Sequence, residues 1–444
     1  MSIYSHVYQD LLMPLHGIVR NRRYVRHLAL LERTQWWSRD QVLEFQWQEL
    51  LRLLEHTFRS VPYYQEKYRK AGLVLSDIRT REDFARLPIL TRAEVNENRA
   101  RLCSTEFRGK LLPHATGGSS GTPTRFFRTI ESYDWRTAAK DRVYSWSGWR
   151  PGEKSAYLWG APVGKVPRFQ AAKTRAYDLF HRQLVLNTFS QNDELWEAVR
   201  HRIMRFRPRI VVGYVSSLAE FSAFLLRRGL HIPPIEAVIA AAEPLYAGTR
   251  QQIGEALGAP VFNTYGCREF MSLAGECPNH DGLHVNAENV LVETALPPAA
   301  GPSEVLVTDL HNYGMPFIRY AIGDLAVLDD APCSCGRGLP RIQRIEGRVL
   351  DALRTADGRT VPGEFFPHIL KDIPEIAHYR VEQHSPAHIV ILAVLQAPLS
   401  DRSQGLLQRE IARVFAGNMR WEIRPVAEIP QLASGKRRVT VGLP

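Results

Sequence analysis

The sequence predicts an α/β protein, with a large N-terminal domain of mixed sheets and helices over residues 1–347 and a small α+β domain over residues 348–444. Three observations carry this expectation. Between Ser155 and Gly266, the short apolar runs SAYLWGAP, RIVVGYV, IEAVIAAAE and PVFNTYG alternate with helical patterns, as parallel strands do in an α/β layer. Beyond Asn286 the texture changes to NVLVETAL, SEVLVTDL and LAVLDD, short alternating strands that suggest an antiparallel section. From Arg348 onward, a tail of roughly a hundred residues carries strands and a helix of its own, enough for a separate unit.

Taken in order, residues 1–110 form a helical start. In SRDQVLEFQWQELLRLLEHTFRSV, residues Leu43, Phe45, Trp47, Leu50, Leu51 and Leu54 fall near helical spacing, with Ser38 as N-cap and Pro62-Tyr63-Tyr64 closing the run. Thr80 with Glu82 and Asp83, then Thr91 with Glu94, open two short helices on either side of a turn at Leu87-Pro88. Past a glycine-rich loop, Tyr133 to Trp146 reads as a helix. LAEFSAFLLRRG and TRQQIGEALG are further helices, ended by Gly229 and Gly258. In the tail, HYRVEQHSPAHIVILAVL supplies strands and SQGLLQREIARVFAG a helix.

Hydrophobic residues at 45% and charged residues at 23% describe a globular chain rather than a disordered one. A net charge of +11 favours anionic partners without choosing among them. The basic residues are scattered, with only short clusters at Arg20 to Arg26 and Lys436-Arg437-Arg438, which argues against nucleic acid as a partner. No apolar run approaches the roughly 20 residues that span a bilayer, and the opening MSIYSHVYQDLL lacks the pattern of a secretory signal, so a cytoplasmic location is expected. The stretch from Tyr8 to Trp37 reads as an amphipathic helix packed on the body, with an interfacial helix touching a membrane as the alternative.

The chemistry gathers first in HATGGSSGTPTRFF, His114 to Phe127. Thr122 stands where a P-loop would have its Lys, and GxGxxG spacing is absent. Yet Gly117, Gly118 and Gly121 let backbone N–H groups turn toward an anion, and Thr116, Ser119, Ser120, Thr122 and Thr124 add hydroxyl donors. Alone, such a turn is usually a solvated loop. Its distant partners reverse that reading: TYGCREF with Tyr265, Gly266 and Glu269, PFIRYAIGD ending in Asp324, IEGR ending in Arg348, and ASGKRRV with Lys436.

In this order, these segments resemble the adenylate-forming superfamily of acyl-CoA synthetases, peptide-synthetase adenylation domains and luciferases. RSVPYYQEKYRKAG, LPILTRAEV, SSGTPT, EVLVTDL and CSCGRGLPRIQRIEGR look most like its phenylacetate-CoA ligase branch and the CapK-type relatives. The resemblance runs over almost the whole chain and implies an ATP-dependent, AMP-forming carboxylate ligase that uses Mg2+.

It also implies roles. The loop from Thr116 to Thr124 resembles the pyrophosphate-holding loop, and Ala242-Glu243-Pro244 the segment along the adenine and acyl pocket. Tyr265 matches the residue beside the nucleotide and Glu269 the Mg2+ ligand. Asp324 matches the carboxylate that accepts the ribose hydroxyls, and Arg348 the basic residue at the interdomain hinge. Lys436 matches the lysine that bridges the attacking carboxylate and the α-phosphate, and the small domain that carries it is implied to be mobile, rotating between two half-reactions. The sequence departs from the family in three places: the loop lacks its Lys, Arg268 replaces a Thr before Glu269, and the hinge acid two positions past Gly-Arg is Leu350, with Asp351 following.

Of five cysteines, four lie between Cys267 and Cys335. Cys277 with His280, and Cys333 with Cys335, compose a C-x2-H and C-x-C inventory that fits a structural zinc, with Cys267 or His284 as substitutes; reduced structural thiols are the alternative. Trp135, Trp146, Trp149 and Trp159 lie where an aryl pocket could form, although aromatics so spaced are more often core. The expected reaction joins a small-molecule carboxylic acid to an acceptor. Coenzyme A is the acceptor the phenylacetate branch implies, with the amine of an amino sugar or amino acid as the alternative. A degenerate nucleotide-binding scaffold is the reading from a different class.

Overall fold

The strand Val261–Tyr265 is where the principal sheet changes character: it pairs parallel with Ala237–Ala241 on one side and antiparallel with Ala274–Gly275 on the other. The computed structural model describes residues 2–115, 124–159, 168–188, 193–296, 302–348, 353–356, 360–361, 365–370, 373–415, 419–429 and 440–443. The expected loop positions Thr116, Gly117, Gly118, Ser119, Ser120, Gly121 and Thr122, and Lys436, lie outside these residues.

Among the described residues the sheet has eleven strands. From one edge they run Val290–Thr294, Ser303–Asp309, Tyr320–Asp329, Arg341–Arg348, Leu283–Val285, Ala274–Gly275, Val261–Tyr265, Ala237–Ala241, Ile210–Tyr214, Ser155–Trp159 and Gln183–Asn187. The fold is mixed α/β, as the alternation predicts. The parallel strands are continuous in burial, Ile210–Tyr214 and Ala237–Ala241 throughout, because helices cover both faces. Gln183–Asn187, which sequence reading missed, is an edge strand with only intermittent burial and therefore gives no clean apolar run.

Local signals act as expected at most helix ends. Ser38 and Gln41 form a capping box that opens Arg39–Ser60; Thr80 with Asp83 and Thr91 with Glu94 form two more. Pro62 does more than close the long helix: it is the first residue of the next, Pro62–Lys70, where its missing N–H costs nothing. Gly229 and Gly258 close their helices in the left-handed conformation, with φ of 61° and 64°. The LPIL segment stitches the helical start to the sheet, since Leu90 N–H donates to Arg319 O at 3.0 Å and Ala321 N–H to Leu90 O at 2.9 Å.

The helix Ile130–Ser145 is locked to the sheet by charge. Arg142 reaches both carboxylate oxygens of Glu288, at 2.7 and 2.9 Å, and Asn286 Oδ1 at 2.7 Å, with Arg142 and Glu288 fully buried. Trp135 on this helix stacks on His311 with centroids 3.9 Å apart, and Trp146 and Trp149 are likewise buried, so these three tryptophans are core.

A second, four-stranded sheet orders Arg420–Pro425, His388–Leu395, Ile376–Ser385 and Thr440–Val441. With the helix Asp401–Val414 it encloses its own apolar core around Val381, Ile389, Ile391, Leu407 and Ile411. Among the described residues, no helix is long and apolar enough to cross a membrane.

Candidate functional site

The carboxyl ends of the parallel strands and the strand Tyr320–Asp329 of the antiparallel section bring several of the predicted residues together. Tyr265, last in its strand, donates its hydroxyl to Asp324 Oδ2 at 2.8 Å, and both side chains are buried. Asp324 faces Arg348 across the antiparallel ladder, so the end of that strand lies directly beside it.

Gly266 follows Tyr265 at a close backbone approach: a Cβ there would sit 1.9 Å from Met271 O. Only glycine fits, and the turn it allows places Glu269 under the sheet end. Glu269 is buried, and Tyr320 Oη donates to its Oε1 at 3.3 Å. Burial, and next the charge of Glu269, push the Cys267 thiol well up, so this cysteine is a neutral wall of the site rather than a thiolate. Burial also raises Tyr320, again with Glu269 adding to it, which keeps the phenol protonated as a donor.

Ala242 has a φ of 67°, rare for a residue with a side chain, at the turn that presents Glu243. Glu243 accepts from Ser216 N–H at 2.7 Å and Ser216 Oγ–H at 3.1 Å. Its carboxylate therefore sits at the N-terminus of the helix Val215–Arg228, where the dipole favours an anion. Trp159 stacks on Tyr214 at 4.2 Å, the one tryptophan of the four that stands at a strand's carboxyl end. Thr124, at the edge of the predicted phosphate loop, is fully buried.

Tyr320 and Ser216 escaped the sequence reading. Tyr320 had a signal, because it shares strand parity with Asp324 and so points to the same face. Ser216 had none, since its contact with Glu243 joins two different strand-to-helix turns.

A second constellation lies apart from these residues. Ligand atoms of Cys277, His284, Cys333 and Cys335 all fall within 4.8 Å of one another. Cys277 Sγ is 3.8 Å from Cys333 Sγ, and Cys335 Sγ 3.3 Å from His284 Nε2. The fourth member is thus His284, where spacing pointed to His280. The His280 ring instead meets Glu276 Oε2 at 2.9 Å, because Glu276, already held by Arg250, draws it away. Cys267 is not in the group either, being committed beside Glu269. Burial holds His284 down to about 4, so its imidazole is neutral at neutral pH. Three thiols and one neutral imidazole at this separation have the composition and size of a closed tetrahedral zinc site.

Comparison with known proteins fits this arrangement. Residues 353–442 match the CapK C-terminal domain family. The chain is 27% identical over 361 residues to a phenylacetate-coenzyme A ligase of Thermus thermophilus, covering 77% of this chain and 78% of that protein. Protein CapK of Staphylococcus aureus matches at 23% over 451 residues, covering 99% and 98%. Among solved structures, 2-hydroxyisobutyryl-CoA ligase, bound to an acyl-AMP in its postadenylation state, aligns at a TM-score of 0.68 and 18% identity over 89% of this chain and 88% of that one.

The fold is that of the adenylate-forming ligases. Within it, the chain is similar to the phenylacetate-CoA ligases and to CapK, and residues 353–442 match the CapK C-terminal domain family.

Proposed function

We propose that this chain is an AMP-forming ligase. ATP and a carboxylic acid give an acyl-adenylate and pyrophosphate, and a nucleophile then attacks the acyl carbon and releases AMP. The observation that carries the reading is the buried Tyr265–Asp324 pair facing Arg348 at the switch of the sheet, with Glu269 beside it.

In this reading Asp324 accepts the ribose hydroxyls, Tyr265 packs along the nucleotide while fixing that carboxylate, and Arg348 stands at the hinge. The loop from Thr116 to Thr124 holds the pyrophosphate portion through backbone N–H groups and hydroxyls. Glu269 offers the hard oxygen that Mg2+ requires, and the ion would offset charge on the phosphates. The reading gives Lys436 the task of bridging the substrate carboxylate and the α-phosphate, two anions that must approach each other, so that its charge would stabilise the transition state. We place the domain boundary near Arg348, so that the smaller domain delivers Lys436.

Coenzyme A is the preferred acceptor, because the relative at 27% identity and the aligned structure are CoA ligases. An amine acceptor is the second reading, because the acyl carbon of an acyl-adenylate is open to attack by an amine as well as by a thiol. The zinc reading assigns Cys277, His284, Cys333 and Cys335 to a structural ion. They lie past strand Ala274–Gly275, on Leu283–Val285 and in the hairpin after Tyr320–Asp329, so an ion would pin the hairpin whose two strands carry Asp324 and Arg348.

The test is ATP-dependent pyrophosphate release across aryl, fatty, hydroxy and amino acids, with mass detection of the acyl-AMP, followed by CoA and amines as acceptors on the acid that responds. Turnover with one acid class supports the ligase. ATP binding without turnover on any acid supports the scaffold instead.

A further inference from the structure

We propose that the N-terminal helices and the helix Arg168–Phe180 form a docking face for an anionic lipid surface, with the first helix lying in the interface plane. This goes beyond the ligase reading and does not depend on it.

The chain from Ile3 to Arg20 is continuously helical, through a π-helical turn at Tyr8–Leu12. Its inner side is tied down: Tyr8 and Met13 are buried, Tyr4 Oη donates to Phe180 O at 2.8 Å, and Tyr8 Oη meets His181 Nδ1 at 2.7 Å. The outer side carries Ile3, Val7, Leu11, Leu15, Ile18 and Val19 into solvent, with Ile3 86% and Ile18 and Val19 each 79% exposed. Beside it, the helix Arg168–Phe180 exposes Phe169 and Leu179 at 83% and 79%. Isolated exposed apolar residues are ordinary, but a row recurring every three or four positions along one helix, continued on its neighbour, is not.

Charge selects the occupant. His16 and Arg20 on one helix and Lys173 and Tyr177 on the other line a shared cleft of about 660 Å3. Arg20, Lys173 and Arg175 have no carboxylate partner among the described residues; Asp134 and Asp141, which also line the cleft, are paired with Arg22 and Lys140, Asp178 is bonded to Gln183, and Asp10 is the one exposed acid of the first helix. A second copy packed on this face would set these cations against themselves, since a two-fold interface matches a patch with itself. An anionic membrane surface neutralises them and takes up the apolar row together. Among the described residues no helix is long and apolar enough to cross a bilayer, and the apolar row along one side of the first helix suits lying on a surface.

Vesicle flotation of the full chain tests this, with phosphatidylcholine alone and with phosphatidylcholine doped with phosphatidylglycerol. The chain should float with the doped vesicles, stay behind with the neutral ones, and be released by salt. Leu11→Ser combined with Ile18→Ser should abolish flotation. Arg20→Gln with Lys173→Gln should weaken it by about tenfold or more, at unchanged melting temperature and ATP affinity. Failure to float with either vesicle, or flotation unaltered in both double variants, overturns the proposal. A dimer in light scattering that the Leu11→Ser, Ile18→Ser variant dissolves, with no vesicle binding, would assign the face to a second copy.

Discussion

Tyr265 gives its hydroxyl hydrogen to Asp324 at 2.8 Å in a buried setting, so the residue proposed for the nucleotide's flank also holds the carboxylate proposed for its ribose. Removing one buried donor from a charged acceptor costs on the order of 1–3 kcal/mol. Tyr265→Phe should therefore weaken ATP binding by roughly tenfold, and Asp324→Ala by more, in calorimetric titrations. An unchanged affinity in Asp324→Ala removes that residue from the ribose site.

Lys436→Ala should slow acyl-adenylate formation by about 10²–10³-fold while ATP affinity stays within a few fold, because the proposed role sets its charge where two anions approach. Single-turnover pyrophosphate release measures this. Near-normal release would end the assignment.

Protein purified without added zinc should hold about one equivalent of the metal, lost in Cys333→Ser and in His284→Ala but kept in His280→Ala. The His280 variant separates the geometry of this site from the spacing of its sequence. Metal retention in His284→Ala, or loss in His280→Ala, would refute the ligand set.

Arg142→Met should destabilise the chain by about 3–5 kcal/mol, since it leaves the buried Glu288 carboxylate without its cation. Denaturant unfolding followed by tryptophan fluorescence gives the number. A loss under about 1 kcal/mol would mean that Thr34 suffices for Glu288.

Acid should weaken the fold well above the carboxylate range. Burial, then Lys140, holds His181 down to about 4, and burial, then Arg128, does the same for His114. An unfolded histidine takes its proton near 6.5, so between these limits the unfolded chain binds more protons and stability is lost as the pH is lowered. The melting temperature should drop between pH 6.5 and 4, and His181→Gln should flatten that drop. A wild-type curve that is flat across the window contradicts the burial of both rings.

Much of the architecture was legible because its causes are local. Ser38, Thr80 and Thr91 mark helix starts whatever lies around them, since each cap bonds a backbone N–H three residues away. The edge strand Gln183–Asn187 was missed for the opposite reason: its conformation comes from pairing with Ser155–Trp159 rather than from its own pattern. The tryptophans divided by place in the fold, Trp135, Trp146 and Trp149 into the core and Trp159 to a strand end, which composition could not foresee.

The sequence by itself determined the fold class, the order of the elements and which residue types carry chemistry, because hydrophobic period, caps and motif order are written along the chain. Only the tertiary structure decided that Tyr265 bonds Asp324, that Glu243 caps the helix beginning at Val215, and that His284 rather than His280 joins the cysteines. These are contacts between segments far apart in sequence, and the register of a strand or a competing partner such as Glu276 sets them. Neither leaves a trace in residue spacing.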